Sequence, residues 1–273
     1  MLQLAKEVVV NLLFSKHYFN KKIIQKSKNA SKPKFILSFD PDEENDIKRI
    51  PWLLELLKKY NIKASFAAIG IWVEKYPLIF KQIIDEGHEL INHTYSHPDN
   101  PDLNPYKHFN KISSQERFNE IKKCDEVVFE LLKYKMNGFR IPHFGNQFIE
   151  DIYPMLEKLN YSFSSSTLAI KSGTGGDPYM VGNIKEFPIM NCPKHAYCIF
   201  DTSHAFRAKI VKHSPDDFIN TFKDLLSISK KHNLFLNLYQ DPQDLHKFDY
   251  EKFLKLIDKN RSHFDIVVYG DIL

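Results

Sequence analysis

The chain has 273 residues, is 43% hydrophobic and contains only 9 glycines and 14 prolines, which excludes collagen-like and disordered classes. Its 38 basic and 34 acidic residues nearly balance, and without a long basic stripe this argues against nucleic-acid binding. Three cysteines are too few for disulfides to stabilise a chain of this length, so the class of small disulfide-rich scaffolds is excluded as well. The odd count and irregular spacing of Cys124, Cys192 and Cys198 predict reduced, buried thiols in a reducing compartment.

Residues 1–32 predict an N-terminal helix followed by a lysine-rich connector. The apolar run at residues 8–14 is too short to cross a membrane, which takes about 20 apolar residues, and no other run approaches that length. No small-residue cleavage site follows this run, so the sequence predicts a cytoplasmic protein. We expect residues 1–32 to pack on the domain at residues 33–273, and a weak membrane-surface anchor is the alternative.

Strands and helices alternate past Pro33, as they do in a parallel α/β sheet. Short apolar runs predict strands at residues 35–39, 64–69, 89–92, 138–141, 161–165, 234–239 and 265–269. Apolar residues at helical spacing predict helices at residues 46–60, 74–86, 113–133, 148–159, 215–231 and 249–260, and residues 171–213 are expected to be rich in loops. One parallel-sheet domain, open or closed into a barrel, is therefore expected, with its chemistry beyond the carboxyl ends of the strands.

Three polar clusters follow three of the predicted strands, and they can converge at one rim of the sheet. The first holds the acid pair Asp40 and Asp42, the second holds His93 and His97, and the third holds Arg140. Two histidines three residues apart on a helical turn can bind one ion together with a carboxylate, and a second carboxylate can act as general base. Each of these clusters alone more often has a structural role than a functional one. The three together, in this order after three strands, indicate a metal site.

The sequence resembles the polysaccharide deacetylase family, also called carbohydrate esterase family 4 or NodB-like. Residues 38–42 (Ser-Phe-Asp-Pro-Asp) are similar to its first motif in the D-x-D variant of peptidoglycan-deacetylase-like members. Residues 93–97 (His-Thr-Tyr-Ser-His) match the second motif, H-[ST]-x-x-H, in full, and residues 140–142 (Arg-Ile-Pro) match the start of the third, R-x-P-[YF]. The resemblance covers roughly residues 33–270 and implies an α/β fold, the distorted (β/α) barrel with seven strands.

The resemblance also implies an activity, the hydrolysis of an N-acyl group, usually N-acetyl, from an amino sugar. Asp42, His93 and His97 would bind a divalent metal ion. We expect Zn²⁺, and Co²⁺, Ni²⁺, Mn²⁺ or Fe²⁺ could use the same ligands.

Three more roles carry over from the family to the motif residues. Asp40 would be the base that takes a proton from the attacking water. Arg140 would orient Asp40 and lower the pKa of its carboxyl by charge pairing. The backbone N–H of His143, which stands where the family usually has an aromatic residue, would help hold the oxyanion.

The general acid is the main departure from the family. The last family motif ends a strand with Leu-x-His, and that histidine protonates the leaving amine. Here Gln240 or Asp241 stands at that place, and Asp241 could donate a proton only if burial raised its pKa. His204, in the loop-rich region, is the other candidate acid. We interpret the remaining histidines, among them His195 and His213, as structural or surface residues.

The leading hypothesis is therefore a metal-dependent carbohydrate deacetylase whose partner is a carbohydrate substrate, with no nucleic acid and no transmembrane span. The alternatives are a non-catalytic carbohydrate-binding protein on the same fold, suggested by the missing histidine, and an amidase or deacylase of a non-sugar substrate. Family members of this kind often assemble, so a homo-oligomer is also possible.

Overall fold

One curled sheet organises the protein. The computed structural model describes residues 9–28, 32–209 and 211–273. Within these ranges the strands are β1 Lys34–Phe39, β2 Ser65–Ala68, β3 Glu89–Asn92, β4 Gly138–Phe139, β5 Phe163–Ser164, β6 Tyr179–Val181, β7 Ile184–Glu186, β8 Leu236–Gln240 and β9 Asp265–Ile266.

Helices follow most of the strands. They are α1 Ser15–Phe19, α2 Glu44–Lys59, α3 Gly70–Lys75, α4 Pro77–Asp85, α5 Ser114–Leu132, α6 Ile152–Lys158, α7 Ala169–Ser172, α8 Thr202–Arg207, α9 Pro215–His232 and α10 Tyr250–Lys259. Single 3₁₀ segments lie at Phe144–Asn146, Pro242–Lys247 and Tyr269–Ile272, and π-helical turns at Val10–Phe14 and Asn20–Ile24 flank α1.

Seven of the strands are parallel and neighbours in the order β7-β5-β4-β3-β2-β1-β8. β6 pairs antiparallel with β7 at one edge, and β9 pairs with the first residues of β1. This arrangement confirms the distorted barrel of seven parallel strands. In the described parts of the chain no strand pairing joins β7 to β8. The seam is closed instead by Asn237, whose side-chain amide donates to the carbonyl oxygens of Phe187 (2.9 Å) and Pro188 (3.2 Å).

The sequence misjudged two regions. The helix predicted at 74–86 is two helices, because Tyr76 leaves helical geometry at φ −131° and Pro77, which has no N–H, begins α4. The loop-rich region 171–213 also contains the β6–β7 hairpin and α8, whose amphipathic signals are too short to show in the sequence.

The N-terminal segment packs on the domain, as predicted, over residues 9–28. Phe19 and Ile23 join the main core, while Asn11 and Ser15 accept hydrogen bonds from the backbone N–H groups of Tyr197 (2.8 Å) and Ala196 (2.6 Å). The rest of the predicted segment, residues 1–8 and 29–31, lies outside the described residues. No helix in the described ranges is long and apolar enough to cross a membrane.

The strand ends bring the sequence motifs to one rim. β1 ends just before Asp40, β3 just before His93, β4 just before Arg140, and β8 just before Asp241. Because these four strands are parallel, all four polar segments leave the same side of the sheet. The predicted convergence is confirmed.

We predict that Gly138→Ala destabilises the protein. A Cβ at position 138 would overlap the ring of Phe163 on the neighbouring strand β5, so the buried ring has to move. Overpacking of this kind costs about 1–3 kcal/mol in the free energy of unfolding, which urea titration measures. Gly145→Ala is the matched control, since its Cβ would meet Leu168 at an ordinary 3.5 Å. Equal losses in the two variants would contradict the steric account.

Candidate active site

A cavity of about 840 Å³ lies at the carboxyl rim of the sheet. Residues of all three sequence motifs line it, and the opposite wall comes from the segment 197–207 together with Asp241. The candidate groups identified from the sequence, apart from the fully buried Arg140, therefore line one solvent-accessible space.

Asp42, His93 and His97 converge at the bottom of this cavity. Asp42 Oδ1 lies 3.4 Å from Nε2 of both histidines. Ligands bonded to one ion at about 2.0–2.2 Å, with tetrahedral angles, lie about 3.3–3.6 Å apart. The three side chains thus have the spacing that one ion requires.

The donor atoms of this triad fit a metal ion better than they fit one another. Asp42 Oδ1 and His97 Nε2 are buried, yet within the described part of the chain neither has a hydrogen-bond partner. His93 Nδ1 lies 2.8 Å from the carbonyl oxygen of Arg140, so it donates there and leaves Nε2 as a lone pair facing Asp42. Such orphaned polar atoms are rare in a folded interior unless something binds them.

The protonation states of two of the three side chains agree with a ligand set. Burial, His93 and His143 lower the pKa of His97 to about 3, so its imidazole is neutral at neutral pH. Burial alone would raise the pKa of Asp42, but His97 and His93 outweigh it and hold that pKa below its usual range. Neutral imidazole and ionised carboxylate are the forms that bind metal. Burial lowers the pKa of His93, but Asp42 and Asp40 outweigh it and raise that pKa, so the ion competes with a proton at this ligand.

The expectation that the two histidines share a helical turn is wrong. Residues 93–97 form an irregular turn in which Thr94 (φ 69°) and His97 (φ 49°) have left-handed backbone conformations. The side chain of Asn92 accepts a hydrogen bond from Thr94 N (2.8 Å), and Thr94 Oγ1 accepts one from His97 N (3.1 Å). These hydrogen bonds offset the energetic cost of the left-handed backbone. They direct both imidazole rings towards the same point.

The loop that carries Asp42 is fixed from two other elements. The carbonyl oxygen of Asp42 accepts hydrogen bonds from Trp72 Nε1 (3.1 Å) and Asn100 Nδ2 (2.7 Å). Trp72 belongs to α3 and Asn100 follows the histidine turn, so the two ligand-bearing loops are tied directly together. The backbone that carries the Asp42 side chain is therefore fixed by neighbouring elements.

Asp40 and Arg140 form a buried ion pair beside the triad. The side chain of Arg140 is fully buried and that of Asp40 is 2% exposed. Arg140 Nη1 donates to Asp40 Oδ1, and Nη2 donates to Ser38 Oγ (2.9 Å) and Tyr269 OH (2.6 Å). Arg140 therefore contacts Asp40 from a position fixed by several hydrogen bonds, and its role in orienting this base stays a prediction.

The predicted effect of Arg140 on the pKa of Asp40 is only half right. Burial raises the pKa of the Asp40 carboxyl, and Arg140 lowers it but does not offset the burial. The net pKa is raised above its ordinary value, where we expected it to be lowered. A carboxylate with a raised pKa is a stronger base, which suits proton abstraction.

His143 contributes its side chain where the sequence suggested only its backbone. Its backbone is left-handed (φ 57°), and its ring lies 4.7 Å from the ring of His97. Its Nε2 is buried and has no hydrogen-bond partner in the described ranges. The family pattern puts an aromatic residue here, so motif matching could not reveal this third imidazole.

The two candidate acids lie on the far wall. Asp241 is buried and pairs with Arg207 of α8, which also contacts Glu43 (3.0 Å) and Asp244 (3.0 Å). His204 also lines the cavity, but its Nε2 lies 3.1 Å from His195 Nδ1. Sequence reasoning missed Arg207, because only the folded loop brings it to Asp241. The roles of Asp241 and His204 stay predictions.

The sequence profile described as polysaccharide deacetylase matches residues 27–163, half of the chain. The chain belongs to the polysaccharide deacetylase family. The matched part contains the metal triad, Asp40 and Arg140. Asp241 and the segment that holds His204 lie beyond it.

Individual relatives support the same family. A Bacillus cereus peptidoglycan-N-acetylglucosamine deacetylase is 35% identical over 113 residues, which are 41% of this chain and 37% of that protein. A Listeria monocytogenes peptidoglycan-N-acetylglucosamine deacetylase is 29% identical over 122 residues, 45% of this chain and 24% of that one. The chain thus spans well under half the length of these curated relatives.

Solved structures share the fold of the whole domain. The crystal structure of a Mycobacterium smegmatis protein assigned to the polysaccharide deacetylases superposes with a TM-score of 0.73. The superposition covers 90% of this chain and 91% of that one at 15% sequence identity. Fold similarity therefore extends past the half of the chain that the profile matches.

We predict that His97→Ala lowers the metal content by one equivalent per chain relative to wild type. The variant leaves only Asp42 and His93 as protein ligands, too few for tight binding. Elemental analysis after purification without chelator or affinity tag measures the loss. His246→Ala, which removes an exposed histidine, is the control and should keep the full content. Equal metal in His97→Ala and wild type would exclude this triad as a binding site.

Proposed function

We propose that the protein is a metal-dependent hydrolase that removes an N-acetyl group from an amino sugar within a glycan. The observation that carries this proposal is the buried Asp40–Arg140 pair next to the convergent Asp42, His93 and His97 side chains. A fixed base beside a metal triad is what amide hydrolysis requires. The names of the curated relatives support N-acetylglucosamine or N-acetylmuramic acid as the sugar.

Zn²⁺ is the ion we propose for the triad, because two imidazoles and one carboxylate are a common catalytic zinc set. When bound, such an ion lowers the pKa of water and polarises a carbonyl oxygen. Asp40 takes the proton of the water that adds to the acyl carbon. Arg140 keeps Asp40 oriented towards that water while four hydrogen-bond partners hold the guanidinium still.

The C–N bond then breaks, and the nitrogen needs a proton to leave as an amine. We assign this proton to Asp241. Burial raises the pKa of Asp241 well above its ordinary value, with Arg207 opposing the shift. The charged groups that face Asp241 are Arg207, Asp46, Asp42 and Asp201. Acetate and the free amine are the products.

The shape of the site supports a glycan in preference to a small amide. A second cavity of about 600 Å³ shares Gly145, Leu168 and Lys171 with the first, so the two adjoin. Phe144 and Tyr239, whose rings lie 4.9 Å apart, present aromatic surface to the first cavity. A chain of sugar rings can occupy adjoining cavities of this size.

The cytoplasmic location of the protein and its assembly into a homo-oligomer stay predictions.

We predict that Asp40→Asn lowers kcat by about 10²–10⁴-fold while the metal content stays at the wild-type level. The amide cannot accept the proton, but Asp42, His93 and His97 remain. Acetate and free amine released from N-acetylglucosamine oligomers and from peptidoglycan measure the rate. Asp85→Asn, which alters an exposed carboxylate, is the control.

The same assay separates the alternative functions. Binding of the oligomers without acetate release, with metal at full occupancy, would favour a non-catalytic carbohydrate-binding protein. Hydrolysis of small acyl amides but of no amino sugar would favour a deacylase of another substrate. Either result would overturn the proposed function.

We predict that the activity falls as the pH rises through the pKa of Asp241, since only the protonated carboxyl can donate. Asp241→Asn should lower kcat and remove this alkaline limb from the pH profile of kcat. His204→Gln should keep the limb. If His204→Gln removes the limb and Asp241→Asn does not, the proton comes from His204.

A further inference from the structure

A second group of metal-binding residue types lies in the wall of the cavity, in a segment that the proposed reaction does not use for metal. Cys192, His195, His204 and His213 follow one another with the spacing C-x₂-H-x₈-H-x₈-H. None of them belongs to the motifs of the first site.

The fold gathers these four side chains although they span a long loop. Ligand atoms of Cys192, His195 and His213 all lie within 4.8 Å of one another. Cys192 Sγ is 3.5 Å from His213 Nε2, and His195 Nδ1 is 3.1 Å from His204 Nε2. An ion with bonds of about 2.0 Å to nitrogen and 2.3 Å to sulfur places tetrahedral neighbours about 3.3–3.6 Å apart. The observed separations are close to these values.

Burial makes the cluster costly unless something binds it. Cys192 is fully buried, His195 is 6% exposed and His213 is 4% exposed. Their hydrogen-bond contacts are largely with one another, and a buried thiol is a weak partner for an imidazole. A bound ion would satisfy Cys192, His195 and His213 at once.

The surroundings match the outer shell of a metal site. Burial raises the pKa of the Cys192 thiol, and hydrogen bonds from the backbone N–H groups of His195 and Lys194 to its sulfur only partly oppose that shift. His213 Nδ1 lies 3.1 Å from Asp217 Oδ2, a contact that orients the ring and leaves Nε2 towards Cys192. Carboxylate partners on ligating histidines are a regular feature of zinc sites.

We propose that Cys192, His195 and His213 bind one Zn²⁺ ion at a site distinct from the Asp42–His93–His97 triad. One thiolate with two imidazoles suits Zn²⁺. The ion joins the two ends of the segment 192–213, which carries Asp201 and Arg207 to the cavity. His204 adjoins this site, with its Nε2 3.1 Å from His195 Nδ1.

Co²⁺ is the probe that distinguishes the two sites, because a thiolate ligand gives it a charge-transfer absorption in the near ultraviolet that histidine and carboxylate ligands do not. The full chain, stripped of metal under reducing conditions, is titrated with Co²⁺. Two equivalents should bind, and one of them should produce the charge-transfer band. Cys192→Ser should lose the band and one equivalent, while His97→Ala should keep the band and lose the other equivalent.

Two further variants control for misfolding and for nonspecific binding of Co²⁺ by a thiol. Cys124→Ser alters another buried cysteine and should keep the band. His204→Gln alters the histidine beside His195 at the cavity surface and should keep the band. Absence of the band from the saturated wild type would overturn the proposal whatever the variants do. A band that persists in Cys192→Ser would overturn it as well.

Discussion

The buried guanidinium of Arg140 is the constraint on which the candidate active site depends. A charge without access to water is tolerable only when it is paired and hydrogen bonded, and Arg140 has Asp40, Ser38, Ser165 and Tyr269 for this purpose. Its backbone carbonyl also accepts from His93. One residue therefore sets the direction of the base through its side chain and the tautomer of a metal ligand through its backbone.

The parallel sheet explains how distant parts of the sequence meet at this residue. β1, β3, β4 and β8 each deliver a polar segment to the same rim, and hydrogen bonds to Asp42 tie two of those segments together. Left-handed backbone occurs at this rim, at Thr94, His97 and His143, as well as at helix ends such as Lys133 and Asn233. Left-handed backbone that is stabilised by hydrogen bonds is typical of sites whose side chains are positioned before a ligand binds.

The sequence predicted six of the seven neighbouring parallel strands and the convergence of Asp40, Asp42, His93, His97 and Arg140, because periodicity and strand-end position are local properties. It missed β7, and the number seven came from the family resemblance. It could not predict the non-helical turn at residues 93–97, since left-handed conformations there depend on hydrogen bonds to Asn92. It expected a lowered pKa for Asp40 because charge pairing is visible in a motif while burial is not. Arg207 and the cluster around Cys192 arise from the folding of residues 192–213, where periodicity carries little information.

The side chain of Asn237 links the closure of the barrel to the partners of Arg140. The same side chain that bridges β8 to Phe187 and Pro188 also accepts from Tyr269 OH (2.7 Å) and donates to Ser165 Oγ (3.2 Å), both partners of Arg140. The backbone carbonyl of Asn237 also accepts a hydrogen bond from Met190 N (2.9 Å) across the same gap. The residue that bridges the two ends of the sheet therefore also contacts two of the groups that hold the guanidinium. A change at position 237 would disturb the closure of the sheet and the surroundings of Arg140 together.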